Sequence, residues 1–513
     1  MAMGLLLRSV VVTAVAVVVA QAPARRARAG DFVDTRITWT FGDDDFLAGA
    51  GENIPNSPLP SIGDRPGYEL FMDNIDSRYT GRENQTHLVM YKRVAGFFPR
   101  LSTEGAMVIQ FDLREWGPVF ADDGSYLRVR YGFDDDPEED GGDGLAVVFF
   151  PFDTERFRLG ALWDISWGGG GIFTNKRSGF TPGLKLEIDI GPGHYFAGFK
   201  TARISELRPD QTGGDGEPAN VQETNYGGLF GAAFDLTDWL RLDAGGGFFE
   251  QGTFDQPGLE GQRVYSFGGS ARVVVHSGMP VPESADFKLY RNEPWALDAP
   301  AGEGGRSVGV DEGGFGWMVS LEGTVLGQHL ADQGELGVVG ASLIQPAYAA
   351  ALQGRIRTGG FRAYLVGFYR SLEFILHNVP SFTPFVALRG GQDVSPQFFL
   401  ATGVEFPIEG PRLTPSVLAG VQFPASVTAG GRTVVVRDEE NRDNLPPGEE
   451  AVPVISARVS LRWDLSSILS LHGMLQYERD ENATRLARDA DGTYRTYRRF
   501  DRLGGALIAQ ARF

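Results

Sequence analysis

The sequence predicts an all-β fold: a single antiparallel, up-and-down β-barrel of about 20 strands, within a range of roughly 18 to 22, that spans a membrane. Three observations predict it: a two-residue alternation of apolar and polar residues, connections that are sorted by length, and aromatic residues near strand ends. The alternation is plainest in residues 184–190, where every second residue is aliphatic and the others are Lys185, Glu187 and Asp189. Because successive side chains of a strand point to opposite faces, one face needs an apolar cover. That cover is either a second sheet, as in a sandwich, or lipid.

The first 29 residues have the pattern of a signal peptide. Arg8 precedes an apolar stretch at residues 10–20, and Ala27 and Ala29 form the small-x-small pattern at which a signal peptidase cuts. The apolar stretch is shorter than the about 20 residues of a membrane-spanning helix. The alternative is a buried helix of a cytoplasmic domain. We therefore predict a signal peptide over residues 1–29 and a transmembrane β-barrel over residues 30–513.

The composition excludes several classes of function. Cysteine is absent, which excludes disulfides, zinc–thiolate sites and cysteine nucleophiles. The formal net charge is −19, so nucleic acid, which needs a basic surface, is excluded as a partner. The six histidines show no metal-ligand spacing, and no nucleophile-turn motif stands out. We therefore expect no enzymatic activity, no cofactor and no bound metal.

Other segments repeat the alternation along the chain. They cover residues 33–41, 107–114, 127–133, 156–167, 458–465 and 469–478. Most are about nine to twelve residues long, the length that a tilted strand needs to cross a bilayer. Alternation is weak in residues 285–295 and 328–348, where we expect a short helix or an inward-folded loop in place of one strand.

Connections between the predicted strands fall into two classes. The short ones are residues 151–155, 191–193, 236–238, 407–411 and 464–467. The long, polar or acidic ones are residues 42–67, 134–143, 205–221, 294–313, 424–453 and 480–499. Short periplasmic turns and long extracellular loops are typical of outer-membrane barrels, whereas the architecture of a sandwich does not require short and long connections to lie at opposite ends. The connections therefore favour lipid as the cover.

Aromatic residues on the apolar face support the same conclusion, because rings near a strand end can rest at the level of the lipid headgroups. They are Trp39, Phe41, Tyr131, Phe133, Trp163, Trp167, Trp463 and Tyr477. The alternative is that these rings belong to an ordinary protein core.

The C-terminal segment carries a family resemblance. From Asp501 the chain alternates to its last residue, with Leu503, Leu507 and Phe513 in the outward series. This resembles the closing strand of Gram-negative outer-membrane β-barrel proteins, although Ala511 is smaller than the residue usual there. The resemblance implies a location in the bacterial outer membrane, with Leu507 and Phe513 as part of the signal read by the barrel-assembly machinery. It implies outer-membrane lipid as a partner and leaves a homotrimer open as an oligomeric state.

If lipid covers the apolar face, the alternate face lines a lumen. The candidate lumen-lining residues are Asp34, Arg36, Asp112, Arg128, Arg130, Arg156, Arg158, Lys185, Glu187, Asp189, Arg241, Arg458 and Arg462. We expect a porin-like channel for passive diffusion of small hydrophilic solutes or ions, in which the basic lining and an acidic mouth set the ion preference. The charges could equally pair across neighbouring strands and only stiffen the wall.

The alternative function is a surface structural or adhesion barrel with a filled lumen. We expect residues 294–313 or 328–348 to decide between the two, since an inward fold there would block the bore. Residues 489–492, Asp-Ala-Asp-Gly, are similar to the start of a calcium loop but lack its later ligands, so solvated charge is the simpler interpretation. The sequence leaves open the solute, the ion selectivity and the oligomeric state.

Overall fold

The structure, a computed structural model, describes most of the chain after residue 33. The described residues are 34–43, 45, 47, 84–112, 120–122, 125–133, 142–152, 158–168, 182–212, 218–254, 256, 258–279, 281, 314–332, 341–377, 385–388, 392–437, 442–466, 468–489 and 492–512. The predicted signal peptide lies outside them.

Strands dominate the described part of the chain. The first half contains β1 (Asp34–Asp43), β2 (Asn84–Ala95), β3 (Leu101–Asp112), β4 (Phe120–Asp122), β5 (Tyr126–Gly132), β6 (Gly144–Phe150), β7 (Arg158–Leu159), β8 (Trp167–Gly168), β9 (Gly183–Ile190), β10 (Gly193–Thr212), β11 (Pro218–Thr237), β12 (Leu240–Thr253) and β13 (Arg263–Ser277). The second half contains β14 (Phe315–Asp332), β15 (Ala341–Thr358), β16 (Phe361–Arg370), β17 (Asp393–Ser395), β18 (Gln397–Glu405), β19 (Leu413–Phe423), β20 (Ala425–Ala429), β21 (Arg432–Val436), β22 (Arg442–Asn444), β23 (Val454–Asp464), β24 (Leu469–Arg479), β25 (Thr484–Asp489), β26 (Gly492–Tyr497) and β27 (Asp501–Arg512).

Helix is scarce among the described residues. A 3₁₀ turn over Trp163–Ile165 lies between β7 and β8, and helix α1 (Leu372–His377) follows β16. Neither has the length and apolar character that a membrane-crossing helix requires.

Eighteen of the described strands form a ring of antiparallel pairs. The large sheet contains 19 described strands, of which the short β4 pairs with β3 alone. Each of the others pairs with the next one, in the order β1, β2, β3, β5, β6, β9 to β16, β18, β19, β23, β24 and β27. β27 then pairs with β1, from Arg36 opposite Arg512 to Asp43 opposite Gly505. The prediction of an all-β chain with a large antiparallel sheet is confirmed, and we call these 18 strands the ring.

Antiparallel order places successive connections at alternate ends of the ring. Tight turns join β9 to β10, β11 to β12, β15 to β16 and β23 to β24, and we call this the turn end. Long connections join β6 to β9, β16 to β18, β19 to β23 and β24 to β27 at the opposite end, the loop end.

Three connections were assigned wrongly from the sequence. The described strands that flank residues 134–143 (β5 and β6) and residues 294–313 (β13 and β14) face these connections at the turn end. β6 ends at the loop end, where the long connection to β9 begins, and not at a short periplasmic turn over residues 151–155. For residues 134–143 and 151–155 the reason is that residues 158–168 form no strand of the ring, so the strands before them run in the direction opposite to the one predicted. In addition, most of residues 205–221, predicted as a loop, extends β10 and β11 to 20 residues each.

Burial on the ring is the reverse of burial in a water-soluble sheet. In β9, Lys185 and Glu187 are only 4% and 6% exposed, whereas Leu184 and Leu186 are 49% and 40% exposed. β23 repeats this pattern from Ile455 to Trp463, where exposed apolar residues alternate with buried polar ones. Soluble proteins rarely bury unpaired charges or expose rows of large apolar side chains. We call the face with the buried charges the inner face.

The connection between β6 and β9 crosses the interior of the ring. Its described part, residues 158–168, is the inward loop; it contains β7, the 3₁₀ turn and β8. It contacts β12, β14, β15 and β16, and β16 lies seven positions from β9 in the ring of 18. A segment that reaches so far around a ring has to pass through its middle.

The inward loop corrects the prediction of a strand over residues 156–167. Trp167, predicted to face lipid, is fully buried (0% exposed) inside the ring, and Trp163 lies in the 3₁₀ turn. Alternation misled here because an apolar inner wall can cover an apolar series as well as lipid can. Arg156 lies outside the described residues.

The predicted irregularity at residues 328–348 is also corrected. β14 continues to Asp332 and β15 begins at Ala341, so most of this region is regular strand. Its alternation is weak because the inner face of β15 is itself apolar, with Ala347, Ala349 and Ala351 packed in the cluster that includes the inward loop. Residues 285–295 and 294–313 lie outside the described residues.

The loop end carries a second layer of structure. Strands β17, β20, β21 and β22 form a four-stranded sheet, and β25 and β26 form a separate hairpin. Helix α1 contributes Leu372 and Ile375 to a buried cluster with Ala425 and Val436 from the four-stranded sheet. We call this sheet and the hairpin the outer cap.

Candidate functional site

The interior of the ring is the candidate functional site. Seven predicted lumen-lining residues are buried on the inner face of the ring: Arg128, Arg130, Lys185, Glu187, Arg241, Arg458 and Arg462. Asp189 is half-buried near the turn end of β9, and Arg158 is buried on the inward loop instead of the wall. Asp34, Arg36 and Asp112 lie on β1 and β3, but their side chains are outside the described residues. Leu507 is exposed on the outer face of β27, and Phe513 is outside the described residues.

A first charged network joins β3, β5 and β9. The Arg128 guanidinium lies 3.5 Å from Glu104 Oε1 and 3.3 Å from Glu187 Oε2. The Lys185 ammonium lies 2.7 Å from Glu187 Oε1. The Tyr91 hydroxyl donates a hydrogen bond of 3.1 Å to Glu104. Two cations and two carboxylates therefore balance each other in this network.

A second charged network lies on β12 and β13. The Asp243 carboxylate accepts hydrogen bonds from Arg241 Nε at 2.9 Å and from Arg272 Nε at 2.6 Å. Arg241 also lies 3.4 Å from Asp235. Charge-assisted hydrogen bonds of this length hold both guanidinium groups in fixed positions.

Glu322 of β14 holds the inward loop across the ring. Its carboxylate accepts hydrogen bonds from the backbone N–H groups of Ala161 and Leu162, at 2.8 and 3.1 Å. Buried N–H groups need such partners, because an unpaired one costs about 1–3 kcal/mol. Glu322 therefore provides the acceptor for two N–H donors that have no backbone acceptor in the irregular loop.

Further contacts fix the rest of the inward loop. Thr324 Oγ1 donates to the Ile165 carbonyl at 2.9 Å, and Arg370 Nη1 donates to the Asp164 carbonyl at 3.3 Å. Within the loop, Arg158 donates to the Ser166 side chain and carbonyl at 2.8 and 2.9 Å. β14 thus holds Ala161, Leu162 and Ile165 of the loop and β16 holds Asp164, which fixes the path of the loop.

Glycine on the wall makes room for the loop. A Cβ atom on Gly245 of β12 would lie 2.8 Å from the Leu159 side chain and 2.8 Å from the Phe230 carbonyl oxygen. Trp167 packs edge-on against Phe249 of the same strand, with ring centroids 5.4 Å apart. The inward loop therefore lies against backbone at this point, which only glycine permits.

A third polar surface lies on β19, β23 and β24. Arg458 donates to Gln476 Oε1 from Nε and Nη2, at 2.7 and 2.5 Å, and Arg462 donates to Asp464 at 2.9 Å. The hydroxyl groups of Ser416 and Ser460 are hydrogen-bonded to each other.

A recess lies between the inward loop and β10 to β14. It is lined by apolar groups together with His194, Arg241, Asp243, Arg272 and Glu322. His194 Nδ1 lies 2.7 Å from the Asp189 carboxylate. Polar groups of both signs therefore face one space beside the loop.

Sequence reasoning missed several residues of these networks. Asp243 shares a strand face with Arg241, and Glu322 and Arg272 occupy inner positions of alternating segments, so their faces were readable from the sequence. The partners of these residues could not be read from the sequence, because they depend on the pairing of distant strands and on the path of the inward loop in the tertiary structure. Among the described residues no group of three or more His, Asp or Glu side chains is arranged to hold a metal ion.

The outer cap contains a buried ion pair between two loops. Arg437 lies 2.8 Å from Asp443 and also pairs with Asp480. Burial alone would raise the pKa of Asp480, but the Arg437 charge and hydrogen bonds from Arg437 and the Asn482 N–H hold that pKa below its usual range. Asp480 therefore acts as a charged link between the β19–β23 and β24–β27 connections.

Comparisons with known proteins find similarity only at the level of structure. No protein-family model matches the chain, and no curated protein matches its sequence. Among solved structures, Wzi, an outer membrane protein involved in group 1 capsule assembly in Escherichia coli, has 11% identity and a TM-score of 0.42, with 94% of this chain and 85% of that chain covered. OpdL of Pseudomonas aeruginosa also has 11% identity and a TM-score of 0.42, with 94% and 97% covered. OmpT, an outer membrane protein of Vibrio cholerae, has 9% identity and a TM-score of 0.35, with 96% and 100% covered.

Wzi and OmpT are outer membrane proteins. At these identities and TM-scores the likeness assigns no activity to the chain.

Proposed function

We propose that this chain is an outer-membrane β-barrel that lets small hydrophilic solutes or ions diffuse through a passage beside its inward loop. The reversed burial of the ring carries the proposal. Lipid is the cover that suits rows of exposed aliphatic side chains, and buried charges suit a wet interior. In this proposal the ring spans the membrane with the turn end at the periplasm, and residues 1–29 are removed on export.

The passage runs along the charged side of the interior. The inward loop packs on the apolar inner faces of β12 to β18, which leaves the networks of Glu104, Arg128, Lys185 and Glu187 on the other side. Rings of fixed charges in a narrow pore set its ion preference. The basic residues of the lining favour anions, and the acidic loops at the mouth oppose them.

Conductance tests this function directly. The folded, full-length protein is inserted into planar bilayers, and single-channel currents are recorded in KCl. Discrete, reproducible conductance steps are expected. A preparation that is folded, inserted and persistently silent contradicts the channel.

The filled barrel with a structural or adhesive role is the second candidate. The apolar cluster between the inward loop and the wall favours it, because this cluster occupies part of the lumen. The same recordings separate the two functions, since a filled barrel inserts without conducting. Under either function we propose that outer-membrane lipid surrounds the ring and that the barrel-assembly machinery inserts it.

A further inference from the structure

The last long connection, residues 480–500, has a charge pattern unlike that of the other loops. The chain as a whole is acidic, yet this connection and its flanks, residues 478–502, hold seven arginines against six carboxylates, together with Tyr494, Tyr497 and Phe500. The arginines are Arg479, Arg485, Arg488, Arg495, Arg498, Arg499 and Arg502. Such a cluster on an acidic protein needs an explanation in terms of what it contacts.

The arginines at the base of the hairpin serve its structure. Arg479 pairs with Glu481 and Asp501, Arg499 pairs with Asp45, and Arg502 lies 3.8 Å from Glu478. Backbone bonds add to this base, since Asp480 N–H donates to the Phe500 carbonyl and Arg498 N–H donates to the Ala483 carbonyl. The root of the hairpin is therefore a rigid support.

The projecting part of the hairpin differs from its base. Arg485 is exposed and Arg495 half-exposed, and within the described part of the chain neither has an acidic partner. Leu486 is 62% exposed and Tyr494 is 49% exposed, so these side chains are not packed down on the cap. β25 and β26 pair only with each other among the described strands.

Two faces of the hairpin can be assigned from its register. Arg485 lies opposite Thr496, and Ala487 lies opposite Tyr494, so Arg485, Tyr494 and Arg498 share one face. Burial lowers the pKa of Arg498, and the positive charges of Arg502, Arg437 and Arg485 lower it further, in spite of Asp443. This face therefore combines positive potential with an exposed aromatic ring.

We propose that this hairpin face is a binding surface for an acidic glycan chain outside the membrane. Guanidinium groups bind carboxylates through paired charge-assisted hydrogen bonds, and the face of Tyr494 can stack on the C–H face of a sugar ring. The six residues of β25 reach about 20 Å from the root. The root lies just beyond Tyr477, whose half-exposed ring is on the outer face of β24. A hairpin of this length favours a sugar chain beyond the headgroups over the lipid phosphates beside the root.

The test uses the full-length protein in nanodiscs of neutral phosphatidylcholine and surface plasmon resonance. The probes are an oligomer of polygalacturonate, neutral dextran and inorganic phosphate. We expect the polygalacturonate oligomer to bind and its binding to weaken as salt is added. The variant Arg485→Gln should lose about fivefold in affinity, whereas Arg495→Gln, which lies opposite Leu486 on the other face of the hairpin, should have a much smaller effect. Tyr494→Ala should weaken binding and Tyr494→Phe should preserve it, which a purely electrostatic surface would not show.

Arg432→Gln is the matched control. Arg432 is an exposed arginine at the tip of the neighbouring β20–β21 hairpin, and its loss should leave binding unchanged. Absence of polygalacturonate binding overturns the proposal, as does binding that Arg432→Gln weakens equally. Binding of phosphate without polygalacturonate assigns the surface to lipid headgroups and also overturns it. None of these outcomes depends on conductance, so the channel and the glycan surface stand or fall separately.

Discussion

Two unlike walls face each other inside the ring. The loop-bearing wall, on β12 to β18, presents small and apolar inner side chains such as Ala349, Ala351 and Val366. The charged wall, from β23 through β27 and β1 to β9, presents ion pairs such as those of Arg128 and Lys185 with Glu187. The same two-residue alternation builds both walls. Whether an inner face is apolar or charged is decided by whether another part of the chain lies against it.

This difference between the two walls determines where a solute can pass. Where the apolar side chains of the inward loop cover the wall, as at Ala349, Ala351 and Val366, the wall offers neither water nor charge to a solute. Paired charges on the other wall leave donors and acceptors facing the interior, where a hydrated solute can exchange its water for them. The charged wall therefore lines the passage and sets its selectivity. The contacts of the inward loop set the cross-section of the passage.

The largest effect is expected where the loop meets its wall, at Glu322. Replacement by alanine leaves the N–H groups of Ala161 and Leu162 without their acceptor, at a cost of about 1–3 kcal/mol each. The loop should then leave the wall, so that single-channel conductance rises and the free energy of unfolding falls. Ser320→Ala is the control, because Ser320 is buried on the same strand without a described bond to the loop. Unchanged conductance in Glu322→Ala would show that the loop does not set the width of the passage.

On the charged wall, the expected effect is on selectivity. Glu187→Gln removes the carboxylate between Lys185 and Arg128 and leaves two cations facing each other. Loss of one partner of a buried ion pair costs about 3–5 kcal/mol, and water in the passage reduces this figure. Reversal potentials in a KCl gradient should shift toward anion selectivity.

Asp235→Asn provides the comparison for Glu187→Gln. Asp235 lies at the turn end, 3.4 Å from Arg241, and its side chain is about one-third exposed. Its removal should change the reversal potential much less. An equal shift in both variants would mean that total charge, and not the charged wall, governs selectivity.

A smaller difference between the two walls is expected when a glycine on each is replaced by alanine. Gly245→Ala places a Cβ atom 2.8 Å from Leu159 of the inward loop and from a backbone oxygen, and overpacking of this kind costs about 1–3 kcal/mol. Gly473→Ala on β24 meets nothing within 4 Å and should be neutral. Urea unfolding of the two variants checks the contrast, and equal stability would show that the loop does not press on β12.

Alternation along single strands was enough to predict much of the molecule. It predicted the β class, the outer face of β9 and β23, and the inner positions of Lys185 and Arg458. It could not distinguish the inward loop from a strand, because Leu159, Ile165 and Trp167 alternate as they would in a strand facing lipid. The partners of Glu322 lie some 160 residues away in sequence, and no local pattern encodes such a distance.

The smallest effect is expected in the outer cap and depends on pH. The folded pKa of Asp480 lies below its usual value of 3.8. Its contribution to stability is therefore complete above pH 3.8 and is lost as the pH falls through the lower folded pKa. Hydrogen exchange of the β20–β22 and β25–β26 amides, expressed as protection factors, should show protection falling in that range. Asp480→Asn should have lower protection at neutral pH and a flatter acid dependence, because Arg437 then lacks one of its two carboxylates whatever the pH. If the variant and the parent lose protection in parallel as the pH falls, some other carboxylate holds the two loops together.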